Sequence, residues 1–102
     1  MATLYIAELS NTGVSNTTAN LQIAAMPPIA EQTVAIAAGS AQSNAFNGQT
    51  KYVRLHTDSI CSVAFGANPT ATATNARLAA GTTEYFAIPQ NQSFKVAVIT
   101  NT

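Results

Sequence analysis

Residues Lys51-Tyr52-Val53-Arg54-Leu55-His56-Thr57, then Asp58-Ser59, then Ile60-Cys61-Ser62-Val63-Ala64-Phe65-Gly66, decide the fold class of this chain. Tyr52, Arg54 and His56 alternate with Val53, Leu55 and Thr57, the period of a strand with one polar and one apolar face. Asp58 and Ser59 are turn formers, because their short polar side chains hydrogen-bond nearby backbone in place of a strand ladder. On the return, Cys61, Val63 and Phe65 alternate with Ile60, Ser62 and Ala64, and Gly66 ends the run. The pattern predicts a β-hairpin near the centre of a sheet.

Working outward, residues 3–8 alternate Leu4 and Ile6 against Tyr5 and Ala7, a further strand. Residues 10–20 are rich in Asn, Thr and Ser around Gly13 and read as a loop or loose hairpin connection. Residues 21–25 form a short strand that Pro27 and Pro28 end, since neither can donate to a ladder. Met26, held extended by the following proline, begins an extended Pro-containing segment over 26–32. Residues 33–38 predict a strand with Val34 and Ile36 inward, and 39–49 a loop pinned by Phe46.

Downstream, 67–80 opens with Asn68-Pro69 and continues as alternating Thr and Ala. Such a run permits extension but offers no large side chain to bury, so an exposed loop or edge anchored by Leu78 is expected. Residues 82–88 and 94–99 alternate around the loop 89–93 and predict a second hairpin. Glu84, Phe86 and Ile88 share one face of its first strand, and Phe94, Val96 and Val98 one face of its second. No helical period is sustained anywhere. Six to eight short strands between turn-rich loops indicate one all-β domain over 1–102, an antiparallel β-sandwich of jelly-roll-like form.

The bulk composition narrows the function classes. The chain has 102 residues, 47% of them hydrophobic, and net charge +0, yet only 8% are charged, against about 25% in ordinary soluble domains. A neutral polar surface lacks charge repulsion, and lysine, which guards sheet edges, occurs only at Lys51 and Lys95. That favours a protein that works within an assembly. No nucleic-acid partner is expected, because Lys51, Arg54, Arg77 and Lys95 are scattered rather than clustered. Nor is a membrane role: the longest apolar run, 23–30, is broken by prolines and falls far short of the ~20 residues needed to span. No secretory leader is recognisable, and the lone Cys61 allows no internal disulfide.

Chemistry-bearing groupings are few. His56, Asp58 and Cys61 are the one set resembling a thiol nucleophile site. His56 lies on the polar face of its strand, Asp58 in the turn, and Cys61 on the face of Val63 and Phe65, so a surface histidine and a core cysteine are expected, with no catalytic residues. One His, one Cys and four acids cannot supply a metal centre, the five glycines are isolated, and no cofactor is expected. Asn16-Thr17-Thr18 and Asn91-Gln92-Ser93 match a glycosylation pattern by chance. Tyr5, Tyr52 and Tyr85 could stack on a sugar or base, although a buried ring with its hydroxyl at the surface is the commoner use of tyrosine. Two stretches suggest a protein interface: the apolar arm Met26, Pro27, Pro28 and Ile29, and the Thr-rich loop through Asn68, Thr70, Thr72 and Thr74.

Three stretches also carry a resemblance: 26–32 (Met-Pro-Pro-Ile-Ala-Glu-Gln), 53–58 (Val-Arg-Leu-His-Thr-Asp) and 61–74 (Cys-Ser-Val-Ala-Phe-Gly-Ala-Asn-Pro-Thr-Ala-Thr-Ala-Thr). With 83–86 (Thr-Glu-Tyr-Phe), they resemble small structural proteins of tailed bacteriophages. The likeness covers most of the chain from Met26 onward and is one of texture rather than of a mechanistic motif. It implies a non-enzymatic virion protein, foremost a capsid decoration or cement protein. Such a protein would be made in the bacterial host cytoplasm and placed on the capsid surface. It would bind the major capsid protein, and its scarcity of charge suits a dimer or trimer. A head–tail or tail component, and a glycan-binding module for host attachment, are the alternatives.

Overall fold

Period-two alternation builds two walls around one core. Leu4, Ile6, Val53, Leu55, Val63, Val96 and Val98 are each at most 2% exposed, and each such side chain contributes about 1.5–3 kcal/mol by leaving water. The computed structural model describes residues 2–14, 20–24 and 26–101, with backbone alone for 13, 14 and 20–24. Among the described residues there are ten strands and no helix: β1 (Thr3–Leu9), β2 (Thr12–Val14), β3 (Asn20–Ala24), β4 (Ala30–Ala35), β5 (Ala41–Gln42), β6 (Tyr52–Thr57), β7 (Cys61–Gly66), β8 (Ala76–Leu78), β9 (Thr83–Ala87) and β10 (Lys95–Thr100).

Eight of these form a sandwich of two antiparallel sheets, in the orders β4-β1-β6-β9 (the front sheet) and β5-β10-β7-β8 (the back sheet); β2 and β3 pair with each other. From β4 the chain wraps front, back, front, back along β4 to β7, then β8 back, β9 front and β10 back. The next strand of such a wrap would enter the front sheet between β4 and β6. β1 occupies that slot, so the neighbours are those of a jelly roll with one strand moved to the front of the chain order. The two ends of the described chain share their anchors. Ile36 N donates to Ala2 O and Thr100 N to Ala37 O, both at 3.0 Å, while Asp58 N reaches Thr3 O and Asn101 N reaches Ile60 O.

The sandwich class and the strand faces agree with the sequence, but both expected hairpins are corrected. β6 and β7 each sit in the interior of a sheet, but of different sheets; β9, at an edge of the front sheet, and β10, inside the back sheet, are likewise separated. The 58–59 turn is a corner that carries the chain across the core. Fully buried Thr57 makes the bend: its hydroxyl donates to Ser59 O at 2.6 Å and accepts from Ser59 N at 3.2 Å. Asp58 Oδ1 meanwhile accepts from Thr3 N at 2.7 Å. The 88–94 crossing holds Asn91 and Ser93 at positive φ, 59° and 53°, with Asn91 N on Gly48 O.

Other boundaries shift as well. β4 begins at Ala30, paired with Glu8, so the extended segment expected over 26–32 shrinks to 26–29, and the Met26–Pro27 bond is cis. The expected loop over 10–20 contains β2, and β3 pairs with it through Thr12↔Ala24 and Val14↔Asn20. The 16–18 glycosylation pattern and Ala25 lie outside the described residues. Phe46 and Leu78 are buried at 5% exposure, as their anchoring roles require.

The loop 67–75 is not free-standing. Gln42 Nε2 donates to Asn68 Oδ1 and Pro69 O, Ala71 N donates to Ser40 Oγ, and Asn101 Nδ2 donates to Ala73 O and Ser62 Oγ. Drawn over the outer side of the back sheet, the loop leaves Ser62 and Ala97 fully buried there. Within the Thr-Ala run, Ala71 packs against the sheet while Thr70, Thr72, Ala73 and Thr74 stay exposed.

Candidate functional site

Strand register determines what the front sheet presents to solvent. Inward Leu4, Ile6, Val53 and Leu55 force their neighbours outward. Register then aligns Thr33, Tyr5, His56 and Thr83 in one row across β4, β1, β6 and β9, and Glu31, Ala7, Arg54 and Tyr85 in the next. Tyr52 follows on β6. All three tyrosines therefore share one face. Tyr5 and Tyr85 are 45% and 55% exposed, which corrects the expectation that such rings would be buried; only Tyr52 is half-buried, its hydroxyl donating to Asn11 O at 2.7 Å.

The aromatic groups stand as two tilted pairs, Tyr5 with His56 at 6.2 Å and Tyr52 with Tyr85 at 6.3 Å between ring centroids. His56 Nδ1 lies 2.9 Å from Thr83 Oγ1, which fixes the ring. Where the small Ala7 follows Tyr5 in the pattern, the surface dips into a groove of about 460 Å³. Tyr5, Glu31, Thr33 and Arg54 stand around it and Ala7 lies on its floor. A second depression of about 420 Å³ lies where β8 and β9 approach each other, beside Arg77, Glu84 and Phe86.

The thiol grouping does not assemble. Cys61 is fully buried, its Sγ 3.6 Å from Thr57 Oγ1, while His56 points out of the front sheet and Asp58 is occupied by the Thr3 backbone. Burial pushes the Cys61 thiol above its ordinary range, and the hydrogen bond with Thr57 offsets only part of that rise. Among the described residues no three His, Cys, Asp or Glu side chains converge as metal ligands. No helix among them is long and apolar enough to cross a membrane.

The expected interface residues occupy two separate places. Met26 is 71% and Ile29 37% exposed, Pro27 is exposed and Pro28 half-buried. The arm is tied to β1 by Ile29 N on Glu8 O at 2.8 Å. Asn68, Thr70, Thr72 and Thr74 are exposed on the loop covering the back sheet. Thr72 and Thr74 hydroxyls lie 2.9 Å apart, and Asn75 Oδ1 accepts from Thr72 N at 2.7 Å, so this loop presents a pinned surface.

One functionally placed residue was not singled out from sequence. Glu8 is 3% exposed; its Oε1 accepts from Asn47 N and Thr50 Oγ1, and its Oε2 from Gln32 Nε2. The carboxylate gathers β4 and the 44–50 loop at the end of the sandwich where the arm begins. The signal was an acid flanked by Ala7 and Leu9 at the end of an apolar strand.

No protein-family model, curated protein or solved structure matches this chain.

Proposed function

We propose that this protein is a non-enzymatic virion structural protein, a capsid decoration protein that binds the major capsid protein and bridges capsomers on the outside of the shell. The observation that carries this reading is the pairing of a nearly uncharged chain with an exposed apolar arm. Met26 and Ile29 hold apolar surface in water at the mouth of β4, and a sandwich of this size gains nothing in its own stability from doing so. Buried in a joint between subunits, each would contribute about 1.5–3 kcal/mol. Many copies each making a weak contact suffice, because every bridged joint raises the effective concentration for the next. The likeness of 26–32, 53–58 and 61–74 to small phage structural proteins supports the same role, as does the rigid, neutral Thr-rich loop, a surface suited to contact with a second copy in a dimer or trimer.

The test is stoichiometry and heat stability of purified virions with and without the protein. Copy numbers that follow the capsomers of the shell, together with leakage at lower temperature on its removal, meet the proposal. A single ring of copies at one vertex assigns the protein to the head–tail junction or tail instead.

A further inference from the structure

We infer that the groove between Tyr5, Ala7, Glu31, Thr33 and Arg54 on the front sheet is a binding site for a neutral oligosaccharide. The inference does not depend on the proposed capsid role. Four observations carry it.

The front sheet is open while the back sheet is not. The chain spends a nine-residue loop on covering the outer side of the back sheet, burying Ser62, Ala97, Pro69 and Ala71. On the front sheet only the end at Tyr52 is approached, where Asn11 O accepts from the Tyr52 hydroxyl; Tyr5 and Tyr85 stand about half exposed, large aromatic rings in place of alanine and serine.

The rings have the chemistry of a sugar platform. A pyranose has one flat face of C–H groups and a rim of hydroxyls. An exposed tyrosine offers it an apolar, electron-rich surface at little conformational cost, with a hydroxyl that can meet the rim. The contact of Tyr5 with His56, and of His56 with Thr83, holds the Tyr5 side of the groove in place before any ligand arrives.

The polar groups at the groove are unspent. Glu31 and Arg54 flank Ala7 from the adjacent strand on either side, their backbones roughly 10 Å apart by strand spacing. Neither side chain makes a hydrogen bond or ion pair with another described residue, although Arg54 is half-buried and carries five donors. A carboxylate that only accepts and a guanidinium that only donates, not bonded to each other, match a ligand whose hydroxyls do both.

Charge and size select among ligand classes. One acid and one base leave the groove neutral, so a phosphate or a sialylated glycan would gain Arg54 and be opposed by Glu31. A volume of about 460 Å³ lies within the range of small-molecule clefts and holds one or two sugar rings rather than a protein loop.

The experiment is a screen of the whole chain against an array of neutral glucose-, galactose- and mannose-terminated oligosaccharides beside sialylated and sulfated ones. Any hit is followed by amide NMR titration and calorimetry on the wild type, Tyr5→Ala and Arg54→Ala. A dissociation constant of ~1 mM or better for a neutral oligosaccharide, shifts confined to Tyr5, Ala7, Thr33 and Arg54, and about tenfold weakening in each variant are expected. A Met26→Ser/Ile29→Ser chain should bind the same glycan unchanged, which separates this site from the capsid-binding arm. The inference is overturned if no neutral oligosaccharide shifts these amides, if only acidic glycans bind, if both variants bind as wild type, or if Tyr5→Ala abolishes self-association of the free protein instead. Because the titration of wild type alone maps the site, a variant that fails to fold does not shelter the inference.

Discussion

Glu8 Oε1 accepts the Thr50 hydroxyl at 2.9 Å, a bond between β1 and the residue two before β6 that is buried from solvent. The same carboxylate caps Asn47 N and holds Gln32, so one acid closes the end of the sandwich. Glu8→Ala should destabilise the fold by about 3 kcal/mol, since it strands buried donors. Glu8→Gln, which keeps one acceptor and presents an amide to Gln32 Nε2, should cost about 1 kcal/mol. Urea unfolding of the two variants checks the order; equal losses would mean the knot does not depend on the carboxylate.

Phe65 of β7 and Phe86 of β9 meet at 5.2 Å between centroids across the two sheets. Both are half-buried, so Phe86→Ala should cost about 2 kcal/mol, and Phe86→Leu about 1 kcal/mol. Thermal melting reads both. A silent Phe86→Ala would place the inter-sheet adhesion wholly in the aliphatic core.

The raised thiol of Cys61 sets an alkaline limit. The folded chain holds this proton more tightly than the unfolded chain, so its contribution is complete below the ordinary thiol range and lost as pH rises through the folded value. Stability measured by urea titration should therefore decline above about pH 9, and Cys61→Ala should lack that part of the decline. A native thiol that stays unmodified by alkylating reagents near neutral pH, and reacts on unfolding, is the companion result.

Met26→Ser/Ile29→Ser removes one side chain that is 71% exposed and one that is 37% exposed, so the unfolding free energy should fall by no more than about 1–2 kcal/mol and the chain should stay folded. Occupancy on stripped capsids, followed by co-sedimentation, should fall while the circular dichroism spectrum stays the same. Full occupancy by this variant would remove the arm from the proposed interface.

The shared anchors of Ala2 and Asn101 predict tolerance to rewiring. A chain joined from Asn101 to Ala2 by a short glycine-serine linker, and reopened between exposed Asn11 and Thr12, moves β1 to follow β10. It should fold with the parent's far-ultraviolet spectrum, as permutants opened at exposed sites usually do. Loss of the cooperative melt would show that β1 must precede the rest.

Which side of each strand faces the core was legible in the residues; which strand lies beside which was mostly not. The corner at 58–59 is the instructive case. A two-residue hairpin would set Leu55 opposite Ser62, Arg54 opposite Val63 and His56 opposite Cys61, and opposed residues share a face. Apolar and polar residues would then be mixed on both faces, so the alternation already spoke against a hairpin there. No such signal existed at 89–93, where a five-residue loop would pair Ile88 with Phe94 and Phe86 with Val96, a consistent apolar face in either topology. The outward direction of Tyr5, Tyr52 and Tyr85 was readable strand by strand. Their assembly on one surface was not, because it depends on β1, β6 and β9 being neighbours, a property of the wrap and not of any local pattern.

The placement of β1 also shapes how the molecule comes into being. Leu9 pairs with Tyr52 and Leu4 with Thr57, so at ~5–20 residues per second a ribosome finishes β1 some seconds before its inner partner exists. For that interval the inward face of β1, with Leu4 and Ile6, travels uncovered, and β4 alone can shield only one edge of the strand. Nearly every pairing joins distant parts of the chain, a topology that condenses slowly. Crowding of nascent copies, rather than fragility of the finished sandwich, is thus the stage at which this chain is most exposed to aggregation.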